Sequence, residues 1–350
     1  MKTTETRLTR RSFALGTLAG TVGATALGAP TILRAQNLTR IRVTQPAESL
    51  SYMAIYAARA RGLFEQNGID LEVVITRGDG PDVQALMARE VEFVATPPHH
   101  LFTLHHQNRR LLGICGILGR CGINLVISPA IAAERGVSED SPIEEKLEAL
   151  RGLRIGASAP GSLTYNIAEY YVLRAGMQPQ VDAQVLSSGT GPAAVAAMQN
   201  NVVDAYSFSS PLTDQLVQMG AAEWLINNTR GQDPELQEFL HAVIYARPDY
   251  IERNEDLVRR FVASVVDAST WVRETSIEDV AAEIRPFFDG LDEDVYRSAI
   301  GNVREAIIAD GVMTEAGSET YQDVLLQTGH LSAPVEFDAV FTNEFLPAVG

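Results

Sequence analysis

Two glycine-rich loops carry the residue types best suited to holding a small ligand. The first is Gly78–Pro81, which reads Gly-Asp-Gly-Pro, and the second is Gly189–Pro192, which reads Gly-Thr-Gly-Pro. Glycine has no Cβ, so a ligand can approach the backbone, and proline suits the first turn of a helix because it donates no N–H there. The free N–H groups and the dipole of a following helix form a weak anion site. Each loop therefore predicts a position for the polar oxygens of a ligand.

The likeness between the two loops extends along the chain. Residues 78–95 align without gaps on residues 189–206, with an alanine, a methionine and a valine at matching positions. A match of this length predicts a duplicated lobe rather than a solenoid unit. The alternative, that any helix of an α/β protein can begin with Gly-x-Gly-Pro, stays open.

Two histidine pairs invite a metal interpretation. They are His99-His100 and His105-His106. Two ligands on one helix face need a spacing of i and i+4, whereas here only His99 and His106 roughly align, two turns apart. We therefore expect no metal site and retain His99 as a single ligand contact.

Neither the cysteines nor the serines form a catalytic pattern. Cys115 and Cys121 lack the spaced histidine partners of a zinc site, and their sequence leaves a disulfide and two buried thiols as open alternatives. The segment Gly156–Gly161 resembles a nucleophile elbow only loosely, because its second glycine comes one place too late. No phosphate-binding loop of the Walker type is present, so we expect no catalytic residue, no cofactor and no enzyme activity.

The elements that must position these loops alternate between strand and helix. Short β-branched runs such as residues 71–75 alternate with amphipathic helical patterns, as in parallel sheets covered by helices. A charged stretch, Ser138–Lys146, interrupts the pattern and predicts a change of lobe, and a second series begins near Arg154. From Pro248 onward the apolar spacing follows a helical period. The sequence therefore predicts an α/β protein with a helical C-terminal part, and its length suggests two domains.

The N-terminus has the layout of an export signal. Arg10 and Arg11 precede an uncharged apolar run from Ala14 to Ala29, which is shorter than the roughly 20 residues of a membrane span. This pattern predicts that residues 1–35 are a twin-arginine signal peptide, cleaved near Ala35, and that the protein is periplasmic. An uncleaved anchor is the alternative.

The charge excludes several classes of partner. The chain carries 28 Lys and Arg against 44 Asp and Glu, a net charge of −16, and the charged residues among residues 1–35 are five basic ones and a single acidic one. The exported part is therefore more acidic still, which disfavours nucleic acids and anionic lipid surfaces.

Four segments carry a resemblance to a known family. They are Tyr52–Val73, which contains the run Gly62-Leu63-Phe64 followed by Gly68-Ile69, and then Met87–Val94, Leu150–Gly156 and Val202–Tyr206. The chain from about Ile41 to Leu216 resembles the periplasmic binding proteins of ABC importers for nitrate, taurine and alkanesulfonates, which include relatives of thiamine-pyrimidine binding proteins.

The resemblance implies a two-lobed type II periplasmic-binding fold. Residues 36–128 would form the first part of lobe 1, residues 129–243 lobe 2, and residues 244–350 a mostly helical return to lobe 1. Closure would occur about Leu125–Pro129 and Val243–Arg247. The expected function is capture of a small organic anion (a sulfonate, carboxylate or nitrate-like ion) by a monomer that delivers it to an ABC permease and its ATPase. Alternatives on the same fold are a pyrimidine-synthase-like enzyme and a periplasmic sensor subunit, either binding a heteroaromatic ligand.

The resemblance also places candidate ligand contacts on both lobes. In lobe 1 these are Gln45, Tyr52, Gly78, Asp79, Gly80, Thr96, Pro97 and His99. In lobe 2 they are Ser158, Gly161, Ser162, Ser188, Gly189, Thr190, Ser207 and Phe208. Arg120 is added as a partner for an anion and ranks above Arg77, because it lies in an apolar stretch. Asp79 does not fit a simple anion site, because its carboxylate would repel an anion. We expect it either to cap its helix or to accept a hydrogen bond from an N–H of the ligand.

Overall fold

Ten β-strands in the part of the chain that the structure describes form two five-stranded sheets. The computed structural model describes residues 38–348, so the predicted signal peptide and its cleavage site lie outside the described residues. The first sheet has the order β2-β1-β3-β10-β4 and the second has the order β7-β6-β8-β5-β9. The strands are β1 Thr39–Gln45, β2 Ile69–Ile75, β3 Phe93–Thr96, β4 Leu112–Leu118, β5 Ile123–Ile127, β6 Arg154–Ala157, β7 Gln184–Ser187, β8 Ala205–Ser209, β9 Glu223–Ile226 and β10 Ala242–Ala246.

The two sheets repeat one topology. In each of them four strands run in one direction, and a single antiparallel strand lies between the third of these strands and the edge strand. The antiparallel strand is β10 in the first sheet, which follows the second crossing, and β5 in the second sheet, which follows the first crossing. This matched order supports the duplication predicted from the glycine-rich loops, and it confirms the expected α/β class.

The chain changes sheet at two short segments, earlier than the predicted boundaries. It leaves the first sheet after Leu118 and enters the second at Ile123, and it returns between Ile226 and Ala242. The predicted boundaries at 128/129 and 243/244 therefore fall at the far end of β5 and inside β10. The predicted closure segments coincide with those same strands instead of with the crossings.

The charged stretch that suggested a lobe change lies wholly beside the second sheet. It begins after α5 (Pro129–Arg135) and extends into the first turn of α6 (Ile143–Glu148), and both helices lie between β5 and β6 in the chain. Its carboxylates are mostly exposed, and Lys146 turns back to donate to the carbonyl of Glu139 at 2.5 Å. A solvated face of helices and turns thus produced the composition that resembled a linker.

The two crossing segments are hydrogen-bonded to each other. The Phe239 N–H donates to the carbonyl of Gly119 at 3.0 Å, and the Cys121 N–H donates to the carbonyl of Leu236 at 3.2 Å. The Gly122 N–H donates to Nδ1 of His241 at 3.1 Å. Burial lowers the pKa of His241 to about 3, so its ring stays neutral and Nδ1 is free to accept this bond.

Helices cover both sheets and make up the C-terminal part, as the helical period after Pro248 predicts. The helices are α1 Met53–Ala60, α2 Leu63–Gln66, α3 Asp79–Met87, α4 His99–His106, α5 Pro129–Arg135, α6 Ile143–Glu148, α7 Leu163–Arg174, α8 Pro192–Gln199, α9 Leu212–Gln218, α10 Pro248–Arg253, α11 Glu255–Glu274, α12 Ile277–Ile284, α13 Glu293–Arg304, α14 Glu315–Gln327 and α15 Phe337–Val340. Helix α14 packs against α4 beside the first sheet and against α7 beside the second. The C-terminal helices therefore contact both halves.

The two cysteines are buried free thiols. Cys115 lies within β4 and Cys121 lies in the first crossing segment, and they are not joined. Burial raises the pKa of each thiol to about 12. The question that the sequence left open between a disulfide and free thiols is thereby answered in favour of thiols.

None of the helices within residues 38–348 is long and apolar enough to cross a membrane.

Gly156 on β6 provides a test of the packing beneath the second glycine-rich loop. A Cβ at this position would lie 2.5 Å from Ser188 Oγ and 2.5 Å from the ring of Tyr206. We expect Gly156→Ala to lower Tm, because overpacking a filled core costs about 1–3 kcal/mol. The measurement is thermal unfolding of residues 36–350.

Gly290→Ala is the matched control for this variant. Gly290 does not have a left-handed φ, and a Cβ there would meet nothing within 4 Å. We expect its Tm to equal that of the wild type. Equal Tm values for the two variants would contradict the packing described for Gly156.

Candidate functional site

The predicted contacts gather at the edge of each sheet where the parallel strands end. On the first sheet Gln45 ends β1, Gly78–Gly80 follow β2, and Thr96 ends β3. Ligands of open α/β sheets bind outside the carboxyl ends of the strands. We call this set of loops the first-sheet edge.

The second sheet has an equivalent edge. Ser158 follows β6, Ser188–Gly191 follow β7, and Ser207 lies on β8 beside Phe208. Gly161 and Ser162 precede α7 in the same connection as Ser158. We call this set the second-sheet edge.

A contact through Ser49 joins the two edges. Ser49 Oγ donates to the carbonyl of Ser210 at 3.1 Å and lies 3.5 Å from Ser209 Oγ. Ser49 follows β1 and caps the single 3₁₀ turn Leu50–Tyr52, whereas Ser209 ends β8. The loop after β1 therefore meets the end of β8, so the two edges border a common region. The sequence analysis did not identify Ser49 or Ser209.

The first-sheet edge contains a buried carboxylate with an incomplete set of partners. Asp82, in the first turn of α3, is fully buried, and its Oδ1 accepts from Thr76 Oγ1 at 2.6 Å. Its Oδ2 is buried and makes no hydrogen bond. The hydroxyls of Thr44 and Thr96 lie near Asp82 and favour its charged form, but neither makes a hydrogen bond of normal geometry.

Two further buried side chains at this edge each have a polar atom without a hydrogen-bond partner. Gln45 uses Oε1 to accept from the Tyr56 hydroxyl at 2.9 Å, and its Nε2 has no partner. The hydroxyl of Tyr245 on β10 also has none. Most buried polar atoms in proteins are paired, because an unpaired one costs about 1–3 kcal/mol. Their concentration at one edge is what a ligand site requires.

Burial shifts the titration of the acidic side chains at the first-sheet edge. Desolvation raises the pKa of Asp82 to about 7 and that of the half-buried Asp79 to about 6, while nearby threonine hydroxyls act in the opposite direction. Each raised pKa reflects a carboxylate that lacks a cation, since no ion pair among residues 38–348 involves either of them. Burial together with these two carboxylates also raises the pKa of Tyr52 and Tyr245.

The second-sheet edge has a cluster of hydroxyls. Ser158 Oγ lies 2.7 Å from Ser162 Oγ and 2.7 Å from Thr164 Oγ1, and Ser162 Oγ lies 2.9 Å from Thr164 Oγ1. Ser162 is the N-cap of α7, where it accepts from the Tyr165 N–H at 3.4 Å. Three hydroxyls at the N-terminus of a helix suit an anionic or carbonyl oxygen. We call these residues the hydroxyl cluster.

The second glycine-rich loop lies beside the hydroxyl cluster. Gly189 and Gly191 have φ values of +86° and +53°, which glycine adopts without strain. The Tyr206 hydroxyl donates to the carbonyl of Gly189 at 2.6 Å and fixes the loop to β8. The Ser207 hydroxyl is buried and donates to the carbonyl of Thr164 at 2.8 Å. Ser207 therefore positions α7, and Thr190 is exposed at the rim of the loop.

His99 is buried at the start of α4, beside Pro97. Its Nδ1 lies 3.4 Å from the Tyr321 hydroxyl, and its ring centroid lies 4.0 Å from that of His100 with the two planes tilted by 41°. Desolvation lowers its pKa well below the ordinary value, so the ring is neutral. Within residues 38–348 no group of three or more metal-ligating side chains occurs.

Arg120 lies in the first crossing segment and contacts the other crossing. Its Nη1 donates to the carbonyl of Thr229 at 3.5 Å. This contact ties one crossing to the other, and it belongs to neither the hydroxyl cluster nor the carboxylates of the first-sheet edge.

Sequence reasoning missed Thr44, Thr76, Asp82, Thr164 and Tyr245. For Asp82 a signal was available, because the duplicated segment places Ala193 at the matching position. A polar residue at a helix position where its duplicate is apolar is a difference that the alignment of the two copies makes visible.

The raised pKa values predict an unusual pH dependence of stability. Their folded values, about 6 and about 7, exceed the ordinary value near 3.9, so the folded protein binds more protons than the unfolded chain between pH 4 and 7. This contribution is complete below about pH 4 and is lost as pH rises to 7. We expect the free energy of unfolding of Asp82→Asn, relative to wild type, to increase over this interval in urea titrations.

Asp292→Asn is the control for the pH experiment. Asp292 caps α13, and hydrogen bonds from the N–H of Asp294, the Gln218 side chain and the N–H of Val295 lower the pKa of its carboxyl. Any contribution of Asp292 is therefore present above its ordinary pKa and lost as pH falls, the opposite sign. Parallel pH curves for wild type and Asp82→Asn would show that Asp82 is not desolvated.

Comparison with known proteins finds a relative of low sequence identity. A protein of Bacillus subtilis strain 168 described as a binding protein, YtlA, is 19% identical over 318 residues, which is 90% of this chain and 91% of YtlA.

Solved structures share the fold. The alkanesulfonate-binding protein SsuA from Xanthomonas axonopodis pv. citri, bound to MOPS, is 16% identical with a TM-score of 0.66, over 88% of this chain and 98% of SsuA. The desulfurization enzyme DSZB is 20% identical with a TM-score of 0.60, over 87% of this chain and 97% of DSZB. The fold thus occurs in both binding proteins and an enzyme.

The family model described as the NMT1-like family matches residues 48–285, a span that runs from the turn before α1 through both sheets and into the C-terminal helices. Since this is more than half of the chain, the protein belongs to the NMT1-like family.

Proposed function

We propose that this protein is the periplasmic solute-binding component of an ABC importer and that it captures a small organic ligand between the two sheet edges. The observation that carries the proposal is the pair of polar edges that border one region and are joined through Ser49. Between residues 38 and 348 the chain passes from one sheet to the other twice, at 119–122 and 227–241, and two crossings of this kind suit hinge closure around a ligand.

The hydroxyl cluster supports an acidic group on the ligand, as the sequence predicts. Hydroxyls and the free N–H groups at the start of α7 can donate to sulfonate or carboxylate oxygens. The relatives whose names state a sulfonate ligand agree with this class. In our proposal the ligand is an organic molecule with such a group, and a permease and an ATPase receive it from a monomeric, exported protein.

We propose binding without catalysis. A nucleophilic cysteine needs a low pKa and access to substrate, whereas Cys115 and Cys121 are buried with pKa values of about 12. Among the described residues the three histidines with lowered pKa values, His99, His100 and His241, are neutral. No specific observation favours either alternative from the sequence, which were a pyrimidine-synthase-like enzyme and a sensor subunit.

Ser162→Ala tests the binding function. A thermal-shift screen of residues 36–350 against sulfonates, carboxylates, nitrate and pyrimidines should reveal one class that raises Tm. A ligand at 100 times its Kd stabilises the protein by about 2.7 kcal/mol. We expect Ser162→Ala to lose most of this shift, because it removes one hydroxyl of the cluster and the cap of α7.

Ser276→Ala is the matched control, because Ser276 caps α12 as Ser162 caps α7. Loss of either cap lowers the stability of the unliganded protein by about 1 kcal/mol. Only Ser162→Ala should reduce the ligand-induced shift. A ligand-induced rise in Tm in Ser162→Ala as large as in the wild type would show that the hydroxyl cluster is not part of the binding site. The absence of any rise in the wild type would contradict solute capture.

Export by the twin-arginine route is tested by replacing Arg10 and Arg11 with lysine. The charge of the N-terminus is unchanged, but the paired arginines that define the signal are lost. We expect the precursor to accumulate in the cytoplasm, measured by fractionation and immunoblotting. Unchanged periplasmic yield would point to another export route.

A further inference from the structure

The duplicated glycine-rich loops have diverged in charge. Asp79 aligns on Thr190, and Asp82 aligns on Ala193, while the glycines and prolines around them are the same. The first copy therefore has two carboxylates where the second has a hydroxyl and a methyl group. A duplicated loop that only supported the fold would not need two acidic side chains in one copy.

The carboxylates have no cation to neutralise them within the described chain. A buried carboxylate without a cation and without a full set of donors is costly, and proteins retain such conflicts mainly at functional sites. The nearly buried guanidinium of Arg247, at the end of β10, is committed elsewhere, since it donates to the carbonyls of Leu86 and Val91. Oδ2 of Asp82 stays without a donor.

The other unpartnered atoms at this edge differ in what they can do. Oδ2 of Asp82 only accepts, the Nε2 amide of Gln45 only donates, and the hydroxyls of Thr44, Thr96 and Tyr245 can each donate or accept. A ligand group with several N–H donors would satisfy the carboxylate and can also donate to the hydroxyls. A sulfonate or nitrate, which only accepts, could accept from the amide and the hydroxyls but would meet the carboxylates with like charge.

We propose that the first-sheet edge is a subsite for a positively charged, N–H-bearing group of the ligand, an ammonium or an amidinium, held by the carboxylates of Asp79 and Asp82. This inference rests on the proposed function and makes it more specific. With an acidic group at the hydroxyl cluster, the ligand is zwitterionic, with its basic end at the first sheet and its acidic end at the second. The simple organic anion expected from the sequence accounts for only one edge.

Matched pairs of small molecules test the subsite. The pairs are 3-aminopropanesulfonate with propanesulfonate and β-alanine with propionate, titrated calorimetrically into residues 36–350 at pH 7.5. We expect the amine-bearing member of a pair to bind at least about tenfold more tightly, because hydrogen bonds to a charged group contribute about 1.5–3 kcal/mol. Asp82→Asn should weaken it by about 10- to 100-fold and leave the amine-free member unaffected.

Two further variants distinguish an effect on binding from an effect on folding. Asp79→Asn changes a half-buried carboxylate at the same edge and should weaken the same compounds. Asp292→Asn removes an exposed carboxylate at the cap of α13 and should change nothing. Each variant is first checked for an unfolding transition as cooperative as that of the wild type.

The outcomes separate the subsite from the proposed function. Equal binding of both members of a pair, with no loss in Asp82→Asn or Asp79→Asn, would overturn the basic subsite and leave solute capture standing. Tighter binding of the amine-free members, improved by Asp82→Asn, would overturn it in the same way. If no member of either pair binds the wild type, and the broader screen also gives no shift, solute capture fails and the subsite fails with it.

Discussion

The insertion of one antiparallel strand into each sheet is the constraint on which the rest of the structure depends. Strand β10 lies between β3 and β4, so the first sheet is complete only after the chain has crossed to the second sheet and back, and β5, the first strand after the first crossing, lies between β8 and β9. Without them each sheet would divide and expose unpaired backbone groups. These two strands directly follow the crossings at 119–122 and 227–241, and the carboxyl ends of both parallel sets border the same region. The site is a consequence of this connectivity before any side chain is considered.

Stability and binding make opposite demands at the first-sheet edge. A fully buried Asp82 with one unpartnered oxygen, near unpartnered hydroxyls of Thr44 and Thr96, lowers the stability of the folded chain. Apolar residues of similar size would remove that cost, as Ala193 does at the matching position of the second copy. Proteins retain such local conflicts mainly at functional sites. The cost is therefore informative about the ligand, because only a group that supplies donors and positive charge removes it.

The sequence predicted local features well and long-range ones poorly. Alternating strand and helix patterns, the helical C-terminal part and both glycine-rich loops follow from residues close in the chain. The positions of the crossings at 119–122 and 227–241 do not follow from local residues, because membership of a sheet depends on pairing between distant strands. The charged run 138–146 resembled a linker although it leads into α6. Tyr245 was missed for the same reason: its hydroxyl reaches the first-sheet edge only because β10 inserts next to β3. Asp82 was the one missed residue with a signal in the sequence, since its duplicate is alanine.

The asymmetry of the two edges bears on how a ligand closes the protein. A ligand stabilises a closed form only as far as its contacts with both halves exceed those in the open form. Were both edges acidic or both rich in hydroxyls, a small ligand with one kind of polar group would satisfy either edge alone and gain little from closure. With carboxylates on one edge and the hydroxyl cluster on the other, each end of a zwitterion is satisfied by a different half. Divergence of the duplicated loops thus makes binding to both halves a condition of tight binding, and it converts a symmetric scaffold into one that responds to the orientation of its ligand.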